Sequence, residues 1–255
     1  MSTILAGRRA LVVGIANEHS IAYGCAKAFR EFGAEVAITY VNDKTRSYVE
    51  PLAAGLEAPI FLPLDVAVPE QLEAAFAAIT AQWGRLDILV HSLAFAPKDD
   101  LQGGLLDCSA EGFAKAMDIS CHSFVRMAKL AAPLMADGGT MFAMSYHGAN
   151  RVVPHYNVMG PVKAALEATC RYLAYELGPR HIRVHAISSG PLQTRAASSL
   201  KEFNRLLNDA IQRAPIGEPI DIMDVGFTCA YLASPYARRM TGSTVYVDGG
   251  MNIIA

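Results

Sequence analysis

The chain has 255 residues, 52% hydrophobic and 18% charged, with a formal net charge of −2. That length and apolar content suit one α/β domain with a sizeable core and exclude a disordered segment, while the near-zero charge offers no basic excess for phosphate backbones and so excludes nucleic acid as the expected partner. The five cysteines (Cys25, Cys108, Cys121, Cys170, Cys229) form no C-x-x-C pair and read as reduced thiols, no H-E-x-x-H pattern supports a metal site, and no apolar run suits a membrane span or a secretory signal, so a soluble cytoplasmic protein is expected.

Residues 9–13 form an apolar run ending at Gly14 and read as a buried strand. A turn over 14–19 leads into a predicted helix with Ser20 as its cap and Gly33 just past its end. Strand, tight turn and helix N-terminus together suit a pyrophosphate, because free amides and the helix dipole point at it. The small residues Gly14, Ala16 and Gly24 permit close approach, although Gly14 and Gly24 are ten apart and do not match Gly-x-Gly-x-x-Gly.

Further strands are predicted over 34–40, 60–64 and 86–90, with Pro63 placing the second of these near a sheet edge. Residues 69–83 read as a helix, with Leu72, Ala75, Phe76 and Ile79 at helical spacing. The turn-rich stretch 96–104 reads as an active-site loop, followed by a long helix after Ser109. Strands over 139–144, 182–187 and 244–247 complete the pattern, with a helix carrying Tyr156 and Lys163 to about Leu177. Alternating strands and helices predict a doubly wound, Rossmann-like α/β domain over residues 1–255, a seven-stranded parallel sheet with helices on both faces. Ligands of such sheets lie at the carboxyl ends of the strands, and polar or small residues stand there: Gly14, Tyr40, Asp65, His91 to Ala94, Ser145-Tyr146 and Ser188 to Pro191.

Tyr146, Tyr156 and Lys163 are the candidate reacting groups. Tyr156 and Lys163 are seven apart, close to two helical turns, which predicts both on one helix face. A phenol can give a proton to an oxygen, and an ammonium lowers the energy of developing negative charge. Beside a bound hydride donor, such a pair reduces a polarised double bond.

The motifs Gly14-Ile15-Ala16-Asn17, Ser20 to Gly24, His91 to Ala96, Ser145-Tyr146, Tyr156 to Gly160 with Lys163, Arg183 to Ser188, Gly190-Pro191 and Val247 to Gly250 resemble the short-chain dehydrogenase/reductase superfamily. Within it the chain is similar to the bacterial enoyl-acyl-carrier-protein reductases. Ordinary superfamily members place the tyrosine four residues before the lysine, where this chain has Met159; the seven-residue spacing with a second tyrosine at 146 marks the enoyl reductases.

The resemblance implies NADH, with NADPH left open, and hydride transfer to C3 of a trans-2-enoyl thioester in fatty acid synthesis. It places Gly14, Ser20 and Ile21 at the pyrophosphate, Asp65 and Val66 at the adenine, Leu93 beside the nicotinamide, Lys163 on the ribose, and Leu192 and Thr194 at the carboxamide and phosphate. Val41 and Ala196 complete the cofactor set. Tyr156 and Tyr146 face the acyl thioester with Ala96, Met159 and Phe203, and a substrate-binding loop and helix is expected at about 191–216. Lys201 and Arg205, four apart, are the expected contacts for an acidic acyl carrier protein, and Asn204 stands where many relatives carry a third basic residue. A homotetramer is implied in the same way. A carbonyl-reducing relative and a non-catalytic dinucleotide-binding protein remain open beside this reading.

Overall fold

A computed structural model of the protein describes residues 3–194 and 203–254. In chain order they form β1 (Arg9–Val13), α1 (Ile21–Glu31), β2 (Glu35–Tyr40), α2 (Asp43–Gly55), β3 (Ile60–Pro63), α3 (Pro69–Trp83), β4 (Ile88–His91) and the short α4 (Lys98–Gln102). Next come α5 (Ala110–Met117), α6 (Ser123–Ala131), β5 (Gly139–Tyr146), α7 (Met159–Leu177), β6 (Ile182–Ser189), α8 (Phe203–Arg213), α9 (Ile222–Ala233) and β7 (Thr244–Val247).

Among the described residues the sheet has seven strands in the order β3-β2-β1-β4-β5-β6-β7, all pairs parallel. This is the doubly wound, Rossmann-like arrangement expected from the alternation of strands and helices. β1 alternates its side chains between two cores: Leu11 and Val13 pack on one face with Phe76, Phe124 and Met141, while Ala10 and Val12 pack on the other with Phe29, Ile38 and Phe142. Helices cover both faces, which is why the central strands are apolar throughout and not alternating. The chain winds outward from β1 to β3 and then returns to β4 on the other side of β1, so the crevice for a ligand opens where β1 and β4 diverge.

Gly14 ends β1 at φ +114°, and a Cβ there would overlap the Ser92 carbonyl beyond β4, so the residue lets two strand ends close together. Gly24 serves helix packing instead. A Cβ on it would run into the backbone carbonyl of Ile222 in α9, and a Cβ on Gly226 would run into the carbonyl of Gly24. Neither obstacle is a side chain that can rotate away. Gly24→Ala is therefore expected at the upper end of the about 1–3 kcal/mol that overpacking costs, or about 5–10 °C in Tm for a chain of this size. A thermal melt indistinguishable from the parent would show that α1 and α9 slide apart without cost.

Several expected boundaries move. β5 and β6 run two residues further than expected, through Tyr146 and Ser189. β4 occupies 88–91 in place of 86–90, and just before it the Asp87 carboxylate accepts from Arg8 and the Arg9 amide. The long helix after Ser109 is interrupted by a π-helical turn, Asp118–His122, between α5 and α6. The expected shared helix face of Tyr156 and Lys163 is not found, because α7 begins only at Met159. Tyr156 precedes it, between His155 (φ +65°) and Asn157 (φ +44°), and two left-handed residues around it exclude a helical turn.

Candidate functional site

The crevice is built first by the turn between β1 and α1. Ser20 was expected to cap the helix, but its hydroxyl makes no cap bond. It accepts instead from the amides of Ala16 (3.0 Å) and Asn17 (3.1 Å), pinching the turn. At the start of α1 the amides of Tyr23 and Gly24 donate to the Ser20 carbonyl, whereas those of Ile21 and Ala22 precede the first intrahelical bond, and that turn carries no acidic residue. Gly14, Ser20 and Ile21 thus border a turn at a helix N-terminus, where the Ile21 amide and the helix dipole favour an anion, while the Ser20 amide is committed to the Asn17 carbonyl. Small and polar residues that fit a dinucleotide pyrophosphate are in place, without a Cβ at Gly14 to block approach.

Further along the crevice, Val41 is largely exposed just past β2. Asn42 is committed to capping α2 through Thr45, and Arg46, stacked over Tyr40, pairs with Glu50. No described acidic residue stands at the end of β2 to meet a ribose, and the guanidinium there already has a carboxylate partner. Asp65 accepts from the Ala67 amide at 2.9 Å while its own amide donates to Gln71, which shapes the loop after β3. Val66 is buried in the core, so only its backbone faces the crevice. Leu192 is buried and its carbonyl accepts from the Thr194 amide at 2.7 Å. Ala196 and Lys201 lie outside the described residues, and Phe203 opens α8. Arg205, in the first turn of α8, lies 3.9 Å from Asp209.

Lys163 is almost fully buried on α7 and reaches the strand ends directly. Its ammonium donates to the Met144 carbonyl at 2.7 Å and the Leu93 carbonyl at 3.5 Å. An ammonium has three donors, so one remains for a ligand between β4 and β5. Burial lowers its pKa from 10.5 to about 8, opposed by Cys121, Cys170 and Glu167. His91, buried at the end of β4 and bonded to Ser123 at 2.7 Å, is held neutral, its pKa lowered to about 3 by burial and by Lys163.

The two tyrosines meet each other. Tyr146, last residue of β5, and Tyr156 pack edge to face with centroids 5.0 Å apart. Burial raises the Tyr146 phenol to about 12 and the Tyr156 phenol further still, the latter also under the influence of Tyr146 and Glu167. Both are firmly protonated hydrogen-bond donors at neutral pH. Met159 lies in the core behind Tyr156, and Ala96 packs at its margin with Leu93. The turn-rich segment expected to border the site does so: the Asn157 amide donates to the Leu101 carbonyl at 2.8 Å, tying α4 to the residue after Tyr156.

Four contributors carried no reading from sequence alone. A Cβ on Gly148 would stand 2.5 Å from Tyr156 Cδ1 and 3.3 Å from Tyr146, so this glycine makes room for both phenols. Ser120, fully buried in the π-helical turn, accepts from the Phe95 amide and donates to its carbonyl, fixing the wall that carries Ala96. Asn157 and Glu167 complete the set. Only the π-turn polar run Ser120 to Ser123 hinted at such a role, since polar residues inside an apolar helix pattern need partners.

A family model described as enoyl-(acyl carrier protein) reductase matches residues 14–252. The chain is 45% identical over 252 residues to the enoyl-acyl-carrier-protein reductase (NADH) FabI of Aquifex aeolicus, covering 98% of this chain and 93% of that one. The crystal structure of the Aquifex aeolicus enzyme superposes with a TM-score of 0.95 over 99% of both chains. An enoyl-acyl-carrier-protein reductase from Anaplasma phagocytophilum in complex with NAD superposes with a TM-score of 0.96 at 42% identity, over 100% of this chain and 97% of that one.

Proposed function

The chain belongs to the enoyl-(acyl carrier protein) reductase family, and we propose that Tyr156, Tyr146 and Lys163 carry out that reaction in it with NADH, the cofactor of the Aquifex aeolicus relative. The bound dinucleotide supplies a hydride. Gly14, Ser20 and Ile21 hold its pyrophosphate, Asp65 and the Val66 backbone border the adenine, and Lys163 offers its remaining N–H to the nicotinamide ribose. Leu93, Leu192 and Thr194 border the nicotinamide end, with Val41 and Ala196 along the crevice. The acyl thioester lies over Tyr146 and Tyr156, against Ala96 and Met159, and Phe203, at the start of α8, is the remaining residue assigned to substrate in this reading.

Addition of hydride at C3 of a trans-2-enoyl thioester breaks the C2–C3 π bond and moves an electron pair onto the thioester oxygen. Tyr156 donates a hydrogen bond to that oxygen as charge develops, a preorganised electrostatic contribution. Tyr156 gives its phenolic proton to the enolate oxygen, C2 takes a proton from solvent, and the oxygen returns its proton to Tyr156 as the carbonyl of the saturated thioester re-forms. Tyr146 orients the Tyr156 ring through the edge-to-face contact. The observation that carries this reading is the edge-to-face pair of buried Tyr156 and half-buried Tyr146, together with a buried lysine whose ammonium donates to carbonyls at the ends of β4 and β5.

The deciding experiment measures substrate-dependent NADH oxidation with crotonyl and acetoacetyl thioesters, repeated with NADPH. Turnover of the crotonyl thioester with NADH is expected. Preference for the acetoacetyl thioester would make the protein a carbonyl reductase, and no turnover of either would leave a dinucleotide-binding protein.

Acyl carrier protein, an acidic partner, delivers the enoyl chain in this reading, guided by Lys201 and Arg205. Reversing both charges to glutamate is expected to raise KM for the carrier-linked substrate and leave KM for the coenzyme A thioester near its original value; equal effects on both would remove carrier docking from these residues. The reading also includes a homotetramer working in the cytoplasm. Tyr172 and Tyr175, both largely exposed on α7, supply apolar surface for assembly, which light scattering tests. No helix among the described residues is long and apolar enough to cross a membrane.

A further inference from the structure

Donors from three segments converge on one buried carboxylate. Glu167 lies on α7 one turn after Lys163 and is 4% exposed. Its Oε1 accepts from the Ser145 hydroxyl at 2.6 Å, and its Oε2 from the Thr244 hydroxyl at 3.2 Å and the Asn150 amide at 3.4 Å. The same Asn150 amide donates to the Tyr246 hydroxyl at 2.8 Å. The three donors to Glu167 are neutral. A buried ion held by neutral donors is a poor source of stability compared with apolar packing of similar volume, so its placement asks for another explanation.

The donors sit at telling positions. Ser145 immediately precedes Tyr146 on β5, and Asn150 closes the 3-10 turn, His147–Ala149, that follows it. Tyr146 is therefore gripped on both sides by bonds to one carboxylate, and Gly148, which seats Tyr156, lies inside the gripped segment. The ammonium of Lys163 is on the same helix, and the carboxylate acts on it through space as well as on Tyr156.

We propose that Glu167 is a positioning residue for the reduction: it fixes residues 145–150, which carry Tyr146 and seat Tyr156, and it balances the buried ammonium of Lys163. The proposal rests on the reading of Tyr146, Tyr156 and Lys163 as the reacting groups. The titratable groups facing Lys163 are Cys121 from the π-helical turn, His91 from β4, and Cys170 and Glu167 from α7. Of these, only Glu167 is a carboxylate. Loss of its charge destabilises the protonated lysine.

Two variants test this. Glu167→Gln keeps shape and removes charge; Ser145→Ala removes one grip and leaves the charge. Both are expected to lower kcat, by about 10- to 100-fold for the displacement of a reacting group. Only Glu167→Gln is expected to move the alkaline limb of kcat/KM for NADH to lower pH. A merely structural role would lower Tm in either variant while leaving kcat and the pH profile of the folded protein unchanged, and that result overturns the proposal. If Glu167→Gln does not fold, wild-type kcat in Ser145→Ala overturns it alone. Tyr156→Phe assayed alongside separates the two failures: full turnover there defeats the site reading itself, whereas loss there with none in the other two defeats only the role of Glu167.

Discussion

Tyr156→Phe is expected to lower kcat with an enoyl thioester about 10²–10³-fold, the cost of removing one donor from a developing oxyanion. The substitution deletes a single hydroxyl and keeps the ring that packs against Tyr146 and Gly148, so the fold and NADH affinity should stay near their original values. The size follows from where the phenol sits. Tyr156 is 9% exposed, and burial together with Tyr146 and Glu167 holds it protonated far above neutral pH. A neutral, fixed donor in a water-poor site needs no reorganisation as charge builds on the thioester oxygen, which is what makes such a group effective. Tyr146→Phe should cost less, since it keeps the ring that packs edge to face on Tyr156. Steady-state kinetics with crotonyl thioester, with NADH binding followed separately by fluorescence, provide the check. Turnover within a few-fold of wild type in Tyr156→Phe would remove the phenol from the reaction.

How much of this was legible in the sequence differs between scaffold and wiring. β1 could be read because a strand covered on both faces is a continuous apolar run, and α3 because Leu72, Ala75, Phe76 and Ile79 mark one helical face. α2 and α9 carried weaker signals and went unassigned. Each is announced by a reciprocal cap, Asn42 with Thr45 and Asp221 with Asp224, that departs from the usual Glu or Gln at the third helical position. α2 also carries Pro51 in its interior, a residue that ordinarily breaks a helix. At the site, the residue types identified the chemistry but misplaced one of them. Placing Tyr156 on a helix face required His155 and Asn157 to be helical, whereas both take the left-handed conformation, for which His and Asn carry only a weak local preference. Ser20 shows a different limit: a serine before a helix reads as a cap, while the competing local amides of Ala16 and Asn17 in the preceding turn take its hydroxyl instead. Glu167 left no trace because its partners come from residues 145, 150 and 244, and only the fold brings them together.

Lys163→Met is expected to reduce kcat/KM for NADH about 10- to 100-fold, the scale of losing hydrogen bonds made by a charged donor, and to erase a pH dependence that the parent should show. In the folded protein burial lowers the lysine pKa from 10.5 to about 8. Between those two values the unfolded chain holds a proton that the folded one has released, so this group makes stability rise with pH across that window. Below about pH 8 the folded protein carries the full cost of a buried ammonium. Activity runs in the opposite direction. If the ammonium is what meets the ribose, capture of NADH by the free enzyme falls as pH rises through about 8, whereas kcat, measured with the cofactor already bound, keeps its plateau to higher pH because the ligand's acceptors favour the charged form. The methionine variant loses both slopes at once: the alkaline fall in kcat/KM for NADH and the rise in stability. It also leaves the Met144 and Leu93 carbonyls without their donor, so the relief from an uncharged side chain is partly offset by about 1–3 kcal/mol of unmet hydrogen bonding. A variant that kept the parent's kcat/KM for NADH and its alkaline limb would show that the titrating group, and the hand on the cofactor, lie elsewhere.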